Sequence, residues 1–203
     1  MAELGYTHLW TPGAGPRTLL LLHGTGGDEH DLVPLAGLLD PTANVLSPRG
    51  NVPEHGALRF FRRLAEGVFD LDDLHRRTDA LADFVGNAAA AYGFDETRVT
   101  AAGFSNGANI AAAMLLQRPT VLAEAVLFRA MIPFEPAAPP ALHGRRIFLS
   151  AGRTDTMIPA AQTEQLAQMF ESYGADVSLQ WSPGGHGLAR GDVDAARAWI
   201  DAR

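Results

Sequence analysis

The chain predicts an α/β architecture, with a mainly parallel central sheet of about seven strands flanked by helices and no large cap domain. Two observations carry this expectation. Short apolar or β-branched runs alternate with amphipathic stretches of helical period along the whole length. A glycine-bracketed serine, Gly103-Phe104-Ser105-Asn106-Gly107, falls where one such run gives way to a helix-forming segment.

The expected strands are Thr7–Trp10, Thr18–Leu22, Asn44–Ser47, Arg98–Ala102, Ala125–Phe128, Ile147–Ser150 and Val177–Trp181. The clearest helix begins near Asp72. Its Leu74, Thr78, Leu81, Val85, Ala88 and Tyr92 recur at three- and four-residue steps, and Gly93 supplies the stop. A helix follows Ser105 from Ala108 to Gln117, closed by Pro119, and another runs from about Ala160 to Tyr173, ended by Gly174. The last begins at Asp192, read as an N-cap, with Val193, Ala196, Trp199 and Ile200 on one face. Two connections break the alternation. Residues 48–71 are long for a loop, and residues 129–146 carry Pro133, Pro136, Pro139 and Pro140, which disfavour a crossover helix. Both follow strand ends, where open α/β sheets bind ligands, so both are expected to shape a substrate site. No repeat or linker divides the chain, and residues 1–203 are expected to form one domain.

Composition narrows the function. Hydrophobic residues at 47% and charged residues at 19% are those of a soluble globular protein. A formal net charge of -7 argues against non-specific nucleic-acid binding. Without cysteine there is no disulfide, no thiolate zinc site and no thiol nucleophile. The first eight residues show neither a basic nor an apolar leader region, and the longest aliphatic run, Leu19 to Leu22, is far too short for a bilayer. The expectation is a cytoplasmic protein without membrane partners.

A serine hydroxyl is a poor nucleophile at neutral pH unless a base, itself oriented by a third group, accepts its proton. The strand–turn–helix setting of Ser105 would hold its hydroxyl above the sheet and aim backbone N–H groups beside it. His186, in Pro183-Gly-Gly-His-Gly187, lies between the last strand and the last helix, and its glycines permit unusual backbone angles. Asp155 follows the strand Ile147–Ser150. It suits the orienting acid, with the cap of a helix starting near Pro159 as the competing role; Glu135 and Asp176 are weaker substitutes for the acid. The order Ser105, Asp155, His186 differs from those of chymotrypsin and subtilisin. An oxyanion hole needs one amide after the serine and one from an early loop, roles that fit Asn106 and Thr25 in His23-Gly-Thr-Gly-Gly-Asp28.

That loop is not a dinucleotide site. G-x-G-x-x-G would require glycine at Glu29, no acidic residue ends the next strand, and G-K-[ST] is missing. His23 reads as structural, holding the loop by hydrogen bonds, and Asp28 and Glu29 as helix-start residues. Arg59-Phe60-Phe61-Arg62-Arg63 reads as a pocket wall or packed loop, with Phe60 and Phe61 facing an acyl or aromatic group. Trp181 reads as core at a strand end. No metal or cofactor is implied.

These motifs carry a resemblance. Leu22-His-Gly-Thr-Gly-Gly-Asp-Glu29, Gly103-Phe-Ser-Asn-Gly-Ala-Asn109, Ala151-Gly-Arg-Thr-Asp155 and Gly184-Gly-His-Gly187 make the chain similar to the small bacterial carboxylesterase/phospholipase branch of the α/β-hydrolases, relatives of acyl-protein thioesterases. The resemblance covers nearly the whole chain. It implies an α/β-hydrolase fold and a serine carboxylesterase acting on small esters through Ser105, His186 and Asp155, without a cofactor. The alternatives are a thioesterase or lysophospholipase, and a non-catalytic ligand-binding module. Ser47-Pro-Arg-Gly-Asn51, Phe60-Phe-Arg-Arg-Leu64 and Val126-Leu-Phe-Arg129 resemble a subgroup linked to hydroquinone and quinone stress, which implies an aromatic or short-acyl substrate. Dienelactone hydrolases are also relatives, but their usual nucleophile is cysteine. Homodimers are common in this branch, and the resemblance implies one here.

Overall fold

The computed structural model describes residues 4–202. All seven expected strands form and join one sheet: β1 (His8–Thr11), β2 (Thr18–Leu22), β3 (Asn44–Pro48), β8 (Val99–Phe104), β9 (Glu124–Phe128), β10 (Arg146–Gly152) and β11 (Asp176–Ser182). The spatial order is β1-β3-β2-β8-β9-β10-β11. Only the β1–β3 pair is antiparallel. Both faces of a parallel sheet are covered, which is why β2 and β9 read as continuous apolar runs without polar alternation.

The period of two still decides which face each side chain serves. Leu20 and Leu22 of β2 join the core beneath α2 (Leu71–Tyr92), α3 (Asn106–Gln117) and α4 (Ala160–Ser172). Leu19 and Leu21 point the other way, toward α1 (Val33–Leu39) and α5 (Arg190–Asp201). Helix α2 starts where the Asp70 carboxylate accepts the Asp73 N–H at 3.0 Å, and stops at Gly93 in the left-handed region. Helix α3 has eleven of its twelve residues buried, against strands on one side and α2 on the other.

Three expectations need correction. Helix α1 begins at Val33, not at Asp28 and Glu29. Asp28 instead accepts the His30 N–H in a turn, and Glu29 is buried in a two-point ion pair with Arg49. Asp192 is not the N-cap of α5. Ala189 is, and Asp192 lies three residues further on, where its carboxylate accepts the Ala189 N–H at 2.8 Å. Trp181 is half-buried on the edge strand with the Arg153 guanidinium over its ring, outside both core clusters.

The long connection after β3 folds into two hairpins, β4 (Val52–Glu54) with β5 (Ala57–Arg59), and β6 (Arg63–Ala65) with β7 (Val68–Phe69). Residues 129–145 carry no regular element. No helix among the described residues is long and apolar enough to cross a membrane.

The turn from β8 into α3 depends on two glycines. A Cβ at Gly107 would lie 1.9 Å from the Leu22 carbonyl oxygen of the neighbouring strand, and one at Gly103 would lie 2.6 Å from the Gly107 oxygen. Backbone, not a yielding side chain, blocks both positions. Gly107→Ala is therefore expected to destabilise the fold by about 3 kcal/mol or more, as an overpacked core does, in urea denaturation.

Candidate active site

Ser105 occupies that turn with φ 52 and ψ −112, a backbone region that L-residues rarely enter. Its amide donates to Phe128 O on β9 at 2.9 Å, which anchors the strained residue to the adjacent strand. The side chain emerges at the C-terminal edge of the sheet, where the loops after β2, β9, β10 and β11 converge.

His186 reaches Ser105 from the loop between β11 and α5. Its Nδ1 lies 2.8 Å from Asp155 Oδ2 and its Nε2 2.9 Å from Ser105 Oγ. An ionised carboxylate can only accept, so Nδ1 carries the proton and Nε2 offers its lone pair to the serine O–H. Asp155 also fills the turn role open to it from sequence. Its Oδ1 accepts the N–H groups of Met157 at 2.8 Å and Ile158 at 3.1 Å. Burial pushes its carboxyl up, but the His186 hydrogen bond and the two amides outweigh burial and hold it below its ordinary value.

Thr25 stands on the loop after β2, its Oγ1 accepting from Arg59 Nη1 at 2.5 Å. Asn106 opens α3 and spends its Oδ1 on the Phe60 N–H at 2.8 Å, while its Nδ2 is buried without a protein partner. Thr25, Ser105, Asn106 and His186 line one cavity of ≈ 280 Å³, walled also by Phe69, Phe104, Met131, Met157 and Ile158 and by Arg59 and Arg63. Both long connections contribute to it, as expected.

Phe60 and Phe61 do not. Both are fully buried: Phe60 packs against His23 and Phe61 edge-on to Phe69, so neither can touch a ligand. They lie in the bend between the two hairpins, and Arg59 at the end of β5 and Arg63 at the start of β6 reach the cavity instead. His23 holds its loop as expected. The Gly50 N–H donates to Nε2 at 2.8 Å, so Nδ1 donates to Gly24 O at 2.7 Å, and burial lowers the ring's pKa. No group of three or more His, Asp or Glu side chains among the described residues could hold a metal ion.

Arg129, which the sequence marks only as the last residue of a family-like stretch, is central. It is 1% exposed, sits at φ 59, and forms a fully buried ion pair with Asp192 of α5 at 2.8 Å. Its Nε donates to Gly185 O at 2.9 Å and its Nη2 to Gly187 O at 3.1 Å, the carbonyls on either side of His186. Ser150 and Ser182 hydroxyls accept two further bonds. Burial pushes the Asp192 carboxyl up, yet the Arg129, Ser150 and Ala189 hydrogen bonds bring it below its ordinary value.

With the geometry in hand, comparison with known proteins is direct. Residues 63–200 match the dienelactone hydrolase family. A Bacillus subtilis (strain 168) protein named as a hydrolase, MhqD, is 43% identical over 192 residues, 95% of this chain and 96% of its own. The structure of a Bacillus cereus carboxylesterase superposes with a TM-score of 0.95 at 44% identity, covering 97% of this chain and 93% of that one. YahD, solved with malic acid, superposes at 0.92 with 32% identity, covering 97% and 98%.

Two outcomes follow from the buried pair. Arg129→Met should cost about 3–5 kcal/mol in urea denaturation, because it strands the Asp192 carboxylate, whereas Arg129→Met with Asp192→Leu should recover most of that loss. A depressed carboxyl contributes stability above its unfolded pKa of about 3.9, and that contribution is lost as pH falls through the lower folded value. For Asp155 and Asp192 the melting temperature should thus hold down to about pH 4 and fall below it, with a shallower fall in Asp192→Asn. The sheet order, the strained serine turn and these matches lead to one classification: the chain belongs to the dienelactone hydrolase family and is a hydrolase of the α/β-hydrolase fold.

Proposed function

We propose that this chain is a serine carboxylesterase that hydrolyses small esters through an acyl-enzyme. The contact series from Asp155 through His186 to Ser105, at the wall of an open cavity, is the observation that carries the reading. Ser105 Oγ attacks the ester carbonyl while His186 Nε2 takes its proton. The imidazolium, oriented and stabilised by Asp155, then returns the proton to the departing alcohol. Water repeats the sequence on the acyl-enzyme and frees Ser105. Zero cysteines leave no thiol for the nucleophile's place.

The oxyanion would accept from the amides of Thr25 and Asn106. Neither amide has an acceptor among the described residues, and both residues line the cavity with Ser105. One such donor is worth about 3 kcal/mol to the transition state. Cavity size favours a small substrate over a lysophospholipid, since ≈ 280 Å³ is at the lower end for small-molecule sites. YahD was solved with malic acid, and a small acid of that size suits the volume here.

Hydrolysis of p-nitrophenyl acetate by wild type and Ser105→Ala tests the reading. The variant should lose at least about a thousandfold in kcat/KM and fail to take a fluorophosphonate label. Equal rates would remove Ser105 from the mechanism, and ligand binding without turnover in either protein would indicate a binding module. The same acyl series offered as thioesters separates an esterase from a thioesterase.

A further inference from the structure

The two ends of the cavity differ in chemistry, and the sheet order explains how. Ser105 rises from the end of β8. On the β10–β11 side stand His186, Met157 and Ile158. On the β2–β3 side stand Thr25 and, from the hairpins that follow β3, Arg59 and Arg63. His186 hands its proton to the leaving alcohol, so the alcohol belongs beside Met157 and Ile158. The acyl chain is left to the arginine side.

Arg59 is an unusual group to find there. It is 3% exposed, yet it lines the substrate cavity. Its Nε donates to Phe61 O at 3.1 Å and its Nη1 to Thr25 Oγ1, which fixes the guanidinium plane, while Nη2 has no acceptor among the described residues. Glu54 serves both Arg59, at 3.4 Å, and Arg63, at 2.7 Å, and does not line the cavity; Glu66 does, but it is exposed. The carboxylate nearest Arg59 is thus shared with Arg63 and sits closer to it, so Arg59 has no counter-ion of its own.

We propose that the acyl group of the substrate ends in a carboxylate bound by Arg59, so that the substrates are monoesters of short dicarboxylic acids. This rests on the serine-esterase reading and specifies its substrate class. Water cleaves the acyl C–O bond, its hydroxyl going to the acyl carbon and its hydrogen to the alcohol. The products are a dicarboxylate, a neutral alcohol and the proton that the new carboxylic acid releases to water. A flat, fixed guanidinium with one open edge suits a carboxylate better than a neutral chain end of the same length, because leaving the cation unpaired carries the larger penalty.

The test compares kcat/KM for monoethyl glutarate with that for ethyl pentanoate, which share a five-carbon acyl skeleton and differ in the terminal carboxylate. Wild type should prefer the charged ester by about tenfold or more. The ratio should fall to about one in Arg59→Met, whatever the absolute rates, and be partly kept in Arg59→Lys. Glu54→Gln, which removes the shared counter-charge, should raise it. A wild-type preference for the neutral ester, or a ratio that Arg59→Met leaves unchanged, overturns the proposal. So does a carboxylate preference that appears only when the acid is moved to the alcohol part. Loss of all ester turnover in wild type would instead count against the esterase reading. Calorimetric binding of glutarate to wild type, lost in Arg59→Met and strengthened in Glu54→Gln, tests the carboxylate subsite independently of turnover, and absence of binding in wild type overturns it.

Discussion

The close approach of the β8–α3 turn to β2 is the constraint on which the rest of the site depends. Gly107 has its backbone against Leu22, so the start of α3 lies within touching distance of the strand that leads into the Thr25 loop. Thr25, Ser105 and Asn106 consequently line one cavity. Ser105 holds its strained conformation because its neighbours leave it no other, with its N–H bound to β9 and a helix buried in all but its last residue behind it. Strain of this kind costs about 1–3 kcal/mol and persists only where packing over-determines it.

The second organising element is the Arg129–Asp192 pair, which joins β9, β10, β11, the histidine loop and α5 in one buried cluster. A buried ion pair is weak evidence for stability, since apolar residues of the same volume often do as well. What it provides here is position. Main-chain carbonyls in a glycine-rich loop need donors, and a single guanidinium has enough N–H groups to serve both carbonyls flanking His186. The histidine is therefore held by its backbone from one side and by Asp155 from the other.

Much of this was legible from the residues. Runs such as Leu19–Leu22 and Ala125–Phe128 announce buried parallel strands, and Ser105, Asp155 and His186 come together because each follows a strand end on the same edge of the sheet. The less legible parts are those decided by distant contacts. The hairpins between β3 and α2 have strands of two or three residues, too short for a period to show. Phe60 and Phe61 lie in the right segment, but they fall in the bend between the two hairpins, where the surface beneath decides which side chains turn inward. Asp192 near a helix start looks like a cap until Arg129, 63 residues earlier, is seen to claim it. A lone arginine after an apolar strand was the one available sign: a charge at the end of a fully buried run must have a partner.

That partner's place in the chain has a consequence for the order of assembly. Arg129 leaves the sheet's centre midway along the sequence, whereas Asp192 belongs to the last helix. During synthesis the serine turn and the first five strands of the sheet emerge while Arg129 still lacks its counter-ion. The carbonyls on either side of His186 are bonded by a guanidinium whose charge is met only by α5. The loop that carries His186 therefore depends on the last helix, whereas the turn that carries Ser105 does not.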